Sequence, residues 1–145
     1  MDAFLITLLI FLFIYLYSTT RKRKIFYDPL VEDIKKDMME LDPRISNRQF
    51  YSSDESYTED KERIYLCLKD ERGEYYDYNM LIYVAIHECS HALTDVIDVE
   101  HKTPEFKNMF ESLLNKASEK GIYDKSIPLV DKYCGIDLDI KDMQR

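Results

Sequence analysis

Three residues of the sequence have the types and the spacing that metal-dependent hydrolysis requires. His87, Glu88 and His91 form the pattern H-E-x-x-H. Residues four apart lie on the same face of a helix, so both imidazoles can bind one ion. Glu88 is rotated by about 100° from His87, and its carboxylate can reach a water in the site without binding the metal. The pattern predicts a zinc site, with Glu88 as the general base of a hydrolase.

A catalytic zinc ion needs a third protein ligand and keeps one position open. We expect this ligand to be His101, which follows His91 after nine residues and is the last of the three histidines in the chain. The interval lets the helix end and the chain turn back toward the metal before another helix begins. Three carboxylates are alternatives to His101, namely Glu100, Glu105 and Glu111. Two further interpretations stay open: ordinary helix histidines without a metal, and a structural zinc site, which usually has four Cys or His ligands and no intervening glutamate.

The helix that carries this pattern is predicted from Asn79 to about Val96. Leu81 through Ile86 are apolar on nearly every side of it, so this helix should lie in the middle of the core. A later helix is expected to begin at Thr103-Pro104, a cap followed by proline, and to end near Gly121. Its predicted buried face consists of Phe106, Phe110, Leu113, Leu114 and Ala117.

The remaining elements are shorter. Asp28-Pro29 predicts the start of an earlier helix, and Pro43 predicts its end. The apolar face of that helix consists of Leu30, Ile34, Met38 and Leu41. The polar stretch 52–63 is predicted to be a solvated loop, the run 64–68 a strand, and the tail around 133–136 irregular. The fold class that follows is α+β, with more helix than strand.

The stretch from Ile64 to about Gly135 resembles the WLM and SprT-like zinc metallopeptidases, particularly the small versions found in large DNA viruses. The resemblance rests on the apolar strand, the H-E-x-x-H helix, the His-x-x-Pro-x-Phe sequence that begins at His101, the Leu-rich helix and the late Tyr133-Cys134-Gly135. It implies a compact zincin fold, one zinc ion per chain and hydrolysis of peptide bonds in a protein or peptide substrate. It also implies that one strand pairs with the extended substrate. The strand expected to do so consists of Ile64, Tyr65, Leu66, Cys67 and Leu68.

Three further residues have more than one interpretation. The resemblance places Tyr133 near the site, where it could donate to the oxyanion; the alternative is a packed tyrosine with its hydroxyl at the surface. Asp95 lies four residues after His91 and could orient an imidazole or be a solvated carboxylate. Cys89 points away from the shared histidine face, so we expect a small buried core residue. For the function as a whole, the alternative to a peptidase is a catalytically idle zincin that binds peptides or partners at a membrane.

An apolar segment opens the chain. Ala3–Thr20 contains no charge, would form about 27 Å of helix, and is followed by the basic cluster Arg21-Lys22-Arg23-Lys24. A bilayer core is about 30 Å thick, and Lys and Arg stay on its cytoplasmic side. A cleaved signal peptide would carry its positive charge before the apolar stretch instead. We therefore expect a single-pass transmembrane anchor in residues 1–20, a basic cluster in 21–24 and a zincin-like metallopeptidase domain in 25–145. The short N-terminus would lie outside a host or virion membrane and the domain on the cytoplasmic, reducing side.

The charge balance argues against one class of partner. The chain has 20 Lys+Arg against 28 Asp+Glu, a net charge of -8. Without Asp2 and the four clustered basic residues, 16 basic and 27 acidic residues remain, a balance of -11. Direct binding to nucleic acid is not expected, because it depends on a basic face. Three cysteines also make a disulfide-stapled scaffold improbable.

Overall fold

A computed structural model describes residues 2–20, 24–97 and 100–138. Over these ranges the fold is α+β, as the sequence predicts. The α-helices are α1 (Ala3–Thr20), α2 (Leu30–Leu41), α3 (Tyr78–Leu93) and α4 (Pro104–Glu119), and a 3-10 helix spans Pro43–Asn47. The strands are β1 (Ile25–Phe26), β2 (Gln49–Ser53), β3 (Tyr57–Glu59), β4 (Arg63–Leu66), β5 (Lys132–Tyr133) and β6 (Ile136–Asp137).

The main sheet has the strand order β1-β2-β4-β3. β2 is antiparallel to β1 and parallel to β4, whereas β3 returns antiparallel along the other side of β4. The prediction of a solvated loop over 52–63 is therefore wrong. That stretch contains the end of β2, all of β3 and the start of β4, and its polar side chains are tolerated because β3 is half-buried at the edge of the sheet.

Local capping explains where the helices begin. The Asp28 carboxylate accepts a hydrogen bond from Leu30 N at 3.0 Å at the start of α2, and Asp77 accepts one from Asn79 N at 2.9 Å at the start of α3. The hydroxyl of Thr103 accepts one from Phe106 N at 3.4 Å at the start of α4. These are the short polar side chains that satisfy otherwise unpaired N–H groups in a first helical turn.

α3 lies at the centre of the core, as expected from its apolar surroundings. It contacts β3 and β4 of the sheet and also both α2 and α4. The helix ends at Leu93, earlier than the predicted Val96, because the chain becomes extended at Thr94. The predicted apolar faces of its neighbours are confirmed, with Leu30 and Leu114 half-buried and the following residues buried: Ile34, Met38, Leu41, Phe106, Phe110, Leu113 and Ala117.

The predicted transmembrane anchor is wrong. None of the helices formed by the described residues is long and apolar enough to cross a membrane. The first helix, α1, has 18 residues, but the last three carry hydroxyl groups. Its apolar part, Ala3–Tyr17, covers about 22 Å, which is short of a hydrocarbon core of about 30 Å. The expected single-pass topology is wrong for the same reason, whereas the expected contact of residues 3–20 with a lipid bilayer stays a prediction. Residues 21–23 of the basic cluster lie outside the described residues.

The expected reducing surroundings of the domain are contradicted as well. Cys67, which follows β4, forms a disulfide with Cys134 in the turn between β5 and β6, and their Cα atoms lie 6.5 Å apart. Disulfides are typical of proteins that fold in an oxidising compartment. The tail expected to be irregular is thus a small hairpin, β5–β6, linked covalently to the end of a core strand.

The strand expected to pair with substrate has another place in the sheet. Residues 63–66 form β4, which is paired with β2 on one side and with β3 on the other. Beyond the strand, Cys67 N donates to Ser56 Oγ at 2.8 Å, and Leu68 O accepts from Tyr76 N at 3.0 Å. An interior strand has no open edge for a peptide, so the prediction for Ile64, Tyr65, Leu66, Cys67 and Leu68 is wrong.

Candidate metal centre and its cleft

The three histidines converge on one point. His87 and His91 lie one turn apart on α3, and His101 approaches them from the segment before α4. Nε2 of His101 lies 3.2 Å from Nε2 of His87 and 3.0 Å from Nε2 of His91. Among the described residues these histidines are the one group of His, Cys, Asp or Glu whose ligand atoms lie close enough together to hold a metal ion. The alternative ligands Glu100, Glu105 and Glu111 are all exposed.

The geometry of the three nitrogens fits a zinc ion. Two imidazole nitrogens bound tetrahedrally at 2.0–2.1 Å lie about 3.3 Å apart, close to the separations found here. Without an ion the arrangement is poorly satisfied, because a neutral imidazole has one N–H and one lone pair. One ring at the centre of three cannot donate to both neighbours through a single Nε2. The chemistry of the donor set therefore favours a cation at the point where the three nitrogens meet.

A phenylalanine backs all three imidazoles. Phe106, in the first turn of α4, is buried, and its ring centroid lies 4.5 Å from that of His91 and 5.2 Å from those of His87 and His101. His101 itself has a φ of 58°, in the left-handed region that histidine adopts more readily than most residues. The apolar side of each ring thus packs on one buried aromatic, which leaves the nitrogen edges to face the cleft.

Burial keeps the imidazole of His87 uncharged. Desolvation, helped by the neighbouring imidazoles of His91 and His101, lowers the pKa of His87 to about 3. A neutral imidazole offers the lone pair that a metal needs, whereas an imidazolium does not.

Glu88 lies beside the histidines and is almost completely buried. Its side chain is 6% exposed, and burial raises its pKa to about 7, against a smaller lowering effect of a hydrogen bond from Thr58. The Thr58 hydroxyl lies 2.8 Å from Oε2 of Glu88 and 2.9 Å from its carbonyl oxygen. Thr58 belongs to β3, in the stretch that was predicted to be a loop, and the sequence held no signal for this contact.

The histidines and Glu88 line a cleft of about 970 Å³. One wall is α3 with the segment that follows it. The opposite wall is formed by β3 and by the hairpin β5–β6. Apolar side chains contribute to both walls, and they are Tyr57, Val84, Val96, Ile97, Ile136 and Leu138.

Tyr133 is near the site, but its hydroxyl has partners within the protein. It donates to the carbonyl oxygen of Cys67, and it lies 2.7 Å from Ser56 Oγ. The side chain is buried, and this burial raises its pKa. Tyr133 therefore anchors the hairpin to the end of β4. To donate to an oxyanion, as predicted, its hydroxyl would have to give up the bond to the Cys67 carbonyl.

The two other residues considered from the sequence lie apart from the metal-facing atoms. Asp95 is exposed beyond the end of α3, and its charge acts on Lys61 and Arg44. Cys89 is buried in the core with a free thiol, as predicted, and burial raises the pKa of that thiol.

The chain is similar to two viral proteins. It is 44% identical over 82 residues to uncharacterized protein 136R of invertebrate iridescent virus 6, an alignment that covers 54% of this chain and 44% of the relative. It is 38% identical over 92 residues to uncharacterized protein 042R of invertebrate iridescent virus 3, covering 63% of this chain and 56% of the relative. The chain thus spans about half the length of these relatives. No family model and no solved structure matches it.

Proposed function

We propose that this protein is a zinc-dependent peptidase. Zinc would be held by His87, His91 and His101, with Glu88 as the general base. The observation that carries the proposal is the convergence of three Nε2 atoms beside a buried carboxylate in an open cleft. A purely structural zinc site is usually closed by a fourth Cys or His, and among the described residues no fourth side chain of that kind joins the group.

The residues of the chain divide the chemistry between them. Zinc supplies Lewis acidity, which lowers the pKa of a water in the site and polarises the carbonyl of the scissile bond. Glu88 takes the proton that this water loses and gives it to the leaving amine. Thr58 holds Oε2 of Glu88, so we expect Oε1 to be the oxygen that accepts the proton. A pKa of about 7 suits a group that must both take up and release a proton near neutral pH.

The substrate that fits this cleft best is an extended peptide. β3 is the terminal strand of the sheet and lines the cleft next to Glu88, so a peptide lying along β3 would bring its backbone to the metal centre. This assignment replaces the interior strand β4. The apolar side chains of both walls provide contacts for apolar residues of the substrate.

The proposal is tested on the full chain with one equivalent of zinc and an unfolded protein as substrate. We compare Glu88→Gln with Glu105→Gln, which changes an exposed glutamate of α4 in the same way. Glu88→Gln should retain one zinc per chain and lose cleavage by at least about a hundredfold, the usual contribution of a general base. Glu105→Gln should behave as the wild type.

The outcomes separate the alternatives. A wild-type protein that binds no zinc would remove the metal centre. Zinc without cleavage would leave the idle peptide-binding protein as the better description. Full turnover by Glu88→Gln would show that another group is the base.

A further inference from the structure

Lys61 bridges two backbone carbonyls at the end of the helix that carries the metal site. It lies in the turn between β3 and β4, and its Nζ donates to the carbonyl oxygen of His91 at 2.7 Å and to that of Val96 at 2.9 Å. α3 ends between these two residues, at Leu93. One ammonium group from the sheet side of the cleft therefore joins the last turn of the helix to the segment beyond it.

A cation at this place has a clear physical basis. The last carbonyls of a helix have no partner within the helix, and they carry the negative end of its dipole. Hydrogen bonds from a charged donor to such carbonyls are stronger than neutral ones. Lys61 is only half exposed, so these bonds are less weakened by water than those of a surface lysine.

The turn that presents Lys61 is itself unusual. Asp60 and Lys61 have φ values of 51° and 57°, two consecutive residues in the left-handed region without a glycine. Such conformations cost free energy, and they persist where the surrounding contacts hold them. The two hydrogen bonds from Lys61 to backbone carbonyls are contacts that hold this turn in its conformation.

The bridged segment is the one that leads from the second histidine to the third. It begins at His91, passes through Val96, and continues to His101, whose backbone is also left-handed, with a φ of 58°. Nε2 of His101 lies within 3.2 Å of the other two Nε2 atoms, a separation that leaves little room for displacement. Val96, which accepts the bond from Lys61, precedes His101 by five residues, so the direction in which the chain leaves α3 affects the position of His101.

We propose that Lys61 is a positioning residue of the metal centre, which fixes the exit of α3 so that His101 completes the set of three imidazoles. The inference rests on the proposed zinc site and assigns no direct contact with zinc or substrate to Lys61. It gives the turn after β3 a role in metal affinity, although this turn contributes no ligand.

The test is the zinc affinity of the full chain, measured by competition with a chromophoric chelator, for Lys61→Met, Lys61→Arg and Lys36→Met. Lys36 lies on the exposed face of α2, paired with Asp33, and serves as the matched control. Lys61→Met should weaken zinc binding about 10- to 100-fold, as the loss of outer partners of a metal site does. Lys61→Arg keeps the positive charge and has N–H donors for both carbonyls, so it should restore most of the zinc affinity. Lys36→Met should leave the zinc affinity unchanged.

Two further measurements separate positioning from a loss of overall stability. Ile34 is a buried residue of α2. Ile34→Val serves as a second control, because this substitution also destabilises the metal-free protein. It should keep wild-type zinc affinity. With cobalt in place of zinc, the absorption spectrum of Lys61→Met should shift toward that of His101→Ala, whereas that of Ile34→Val should not.

The result that overturns the inference is wild-type affinity and a wild-type cobalt spectrum in Lys61→Met. An equal loss in Ile34→Val, or no rescue by Lys61→Arg, would overturn it as well. A wild-type protein without zinc affinity would instead remove the proposed function, and the role of Lys61 with it.

Discussion

The two walls of the cleft are built from very different lengths of chain. The wall that we call the imidazole side consists of α3 and the segment that follows it, and its three histidines lie between residues 87 and 101. The opposite wall, the sheet side, consists of β3 and the hairpin β5–β6, which are more than 70 residues apart. A disulfide from Cys67 to Cys134, with a sequence separation of 67, joins the hairpin to the sheet.

The two walls differ in what holds them in place. The imidazole side is positioned by helical geometry and by the buried ring of Phe106. Within the sheet side, the hairpin has little buried surface of its own, because each of its two strands has only two residues. It is held by Tyr133 and the disulfide. We therefore expect changes in the hairpin to affect stability and substrate binding while the zinc remains bound. Lys61, whose ammonium group contacts the end of α3, is the residue of the sheet side for which we expect an effect on zinc affinity.

The largest expected effect is that of the disulfide on stability. Cys134→Ser should lower the free energy of unfolding by about 4 kcal/mol, the chain-entropy value for a closed loop of this length. Zinc content should stay at the wild-type value, because no histidine lies in the hairpin. Denaturant unfolding and metal analysis measure the two quantities.

A phosphine reductant provides the control for that variant. It should lower the free energy of unfolding of the wild type to that of Cys134→Ser. The free energy of unfolding of Cys134→Ser itself should not change. Loss of zinc on reduction would show that the hairpin and the metal centre are coupled.

The next effect concerns Glu88, which lies between the two walls. Its pKa is raised from 4.5 to about 7 by burial, so its ionised form destabilises the folded metal-free protein. This cost is present in full above pH 7, decreases as the pH falls toward 4.5, and is absent below that. At pH 8, Glu88→Gln should therefore be more stable than the wild type by about 3 kcal/mol. The advantage should disappear at pH 4.

Thermal unfolding of the two proteins with a chelator present, at several pH values, measures this difference. A constant difference between wild type and Glu88→Gln from pH 4 to pH 8 would contradict the assignment of a buried charge.

The same contrast explains what could be predicted from the sequence. Helical spacing of His87 and His91, and the capping of α4 at Thr103, are local signals. Both helices are present, although α3 ends three residues before the predicted Val96. β3 was missed because its pairing with β4 is a contact between segments, and its polar residues lack the alternation of a half-buried strand. Three cysteines allow three pairings, and spacing alone does not choose among them.

The third largest effect is expected for a substitution of Tyr133, which also tests the role of this residue. Tyr133→Phe removes the hydroxyl that binds the carbonyl of Cys67 and Ser56 Oγ, which leaves buried polar groups without that partner. The expected loss of stability is about 2 kcal/mol. As an anchor of the hairpin, the tyrosine should affect KM for a peptide more than kcat. A fall in kcat of a hundredfold with KM unchanged would restore the oxyanion role.

The smallest effect is expected at Thr58, where the sheet side touches the general base. Thr58→Val keeps the shape of the side chain but removes the donor to Oε2 of Glu88. Without that bond the carboxylate is held less firmly, and kcat/KM should fall about tenfold, with KM little changed. Because the bond from Thr58 lowers the pKa of Glu88, its loss should also move the acidic limb of the rate profile to higher pH. Thr58→Ser retains the hydroxyl and should keep most of the activity. Equal rates for the valine and serine variants would mean that β3 lines the cleft without orienting Glu88.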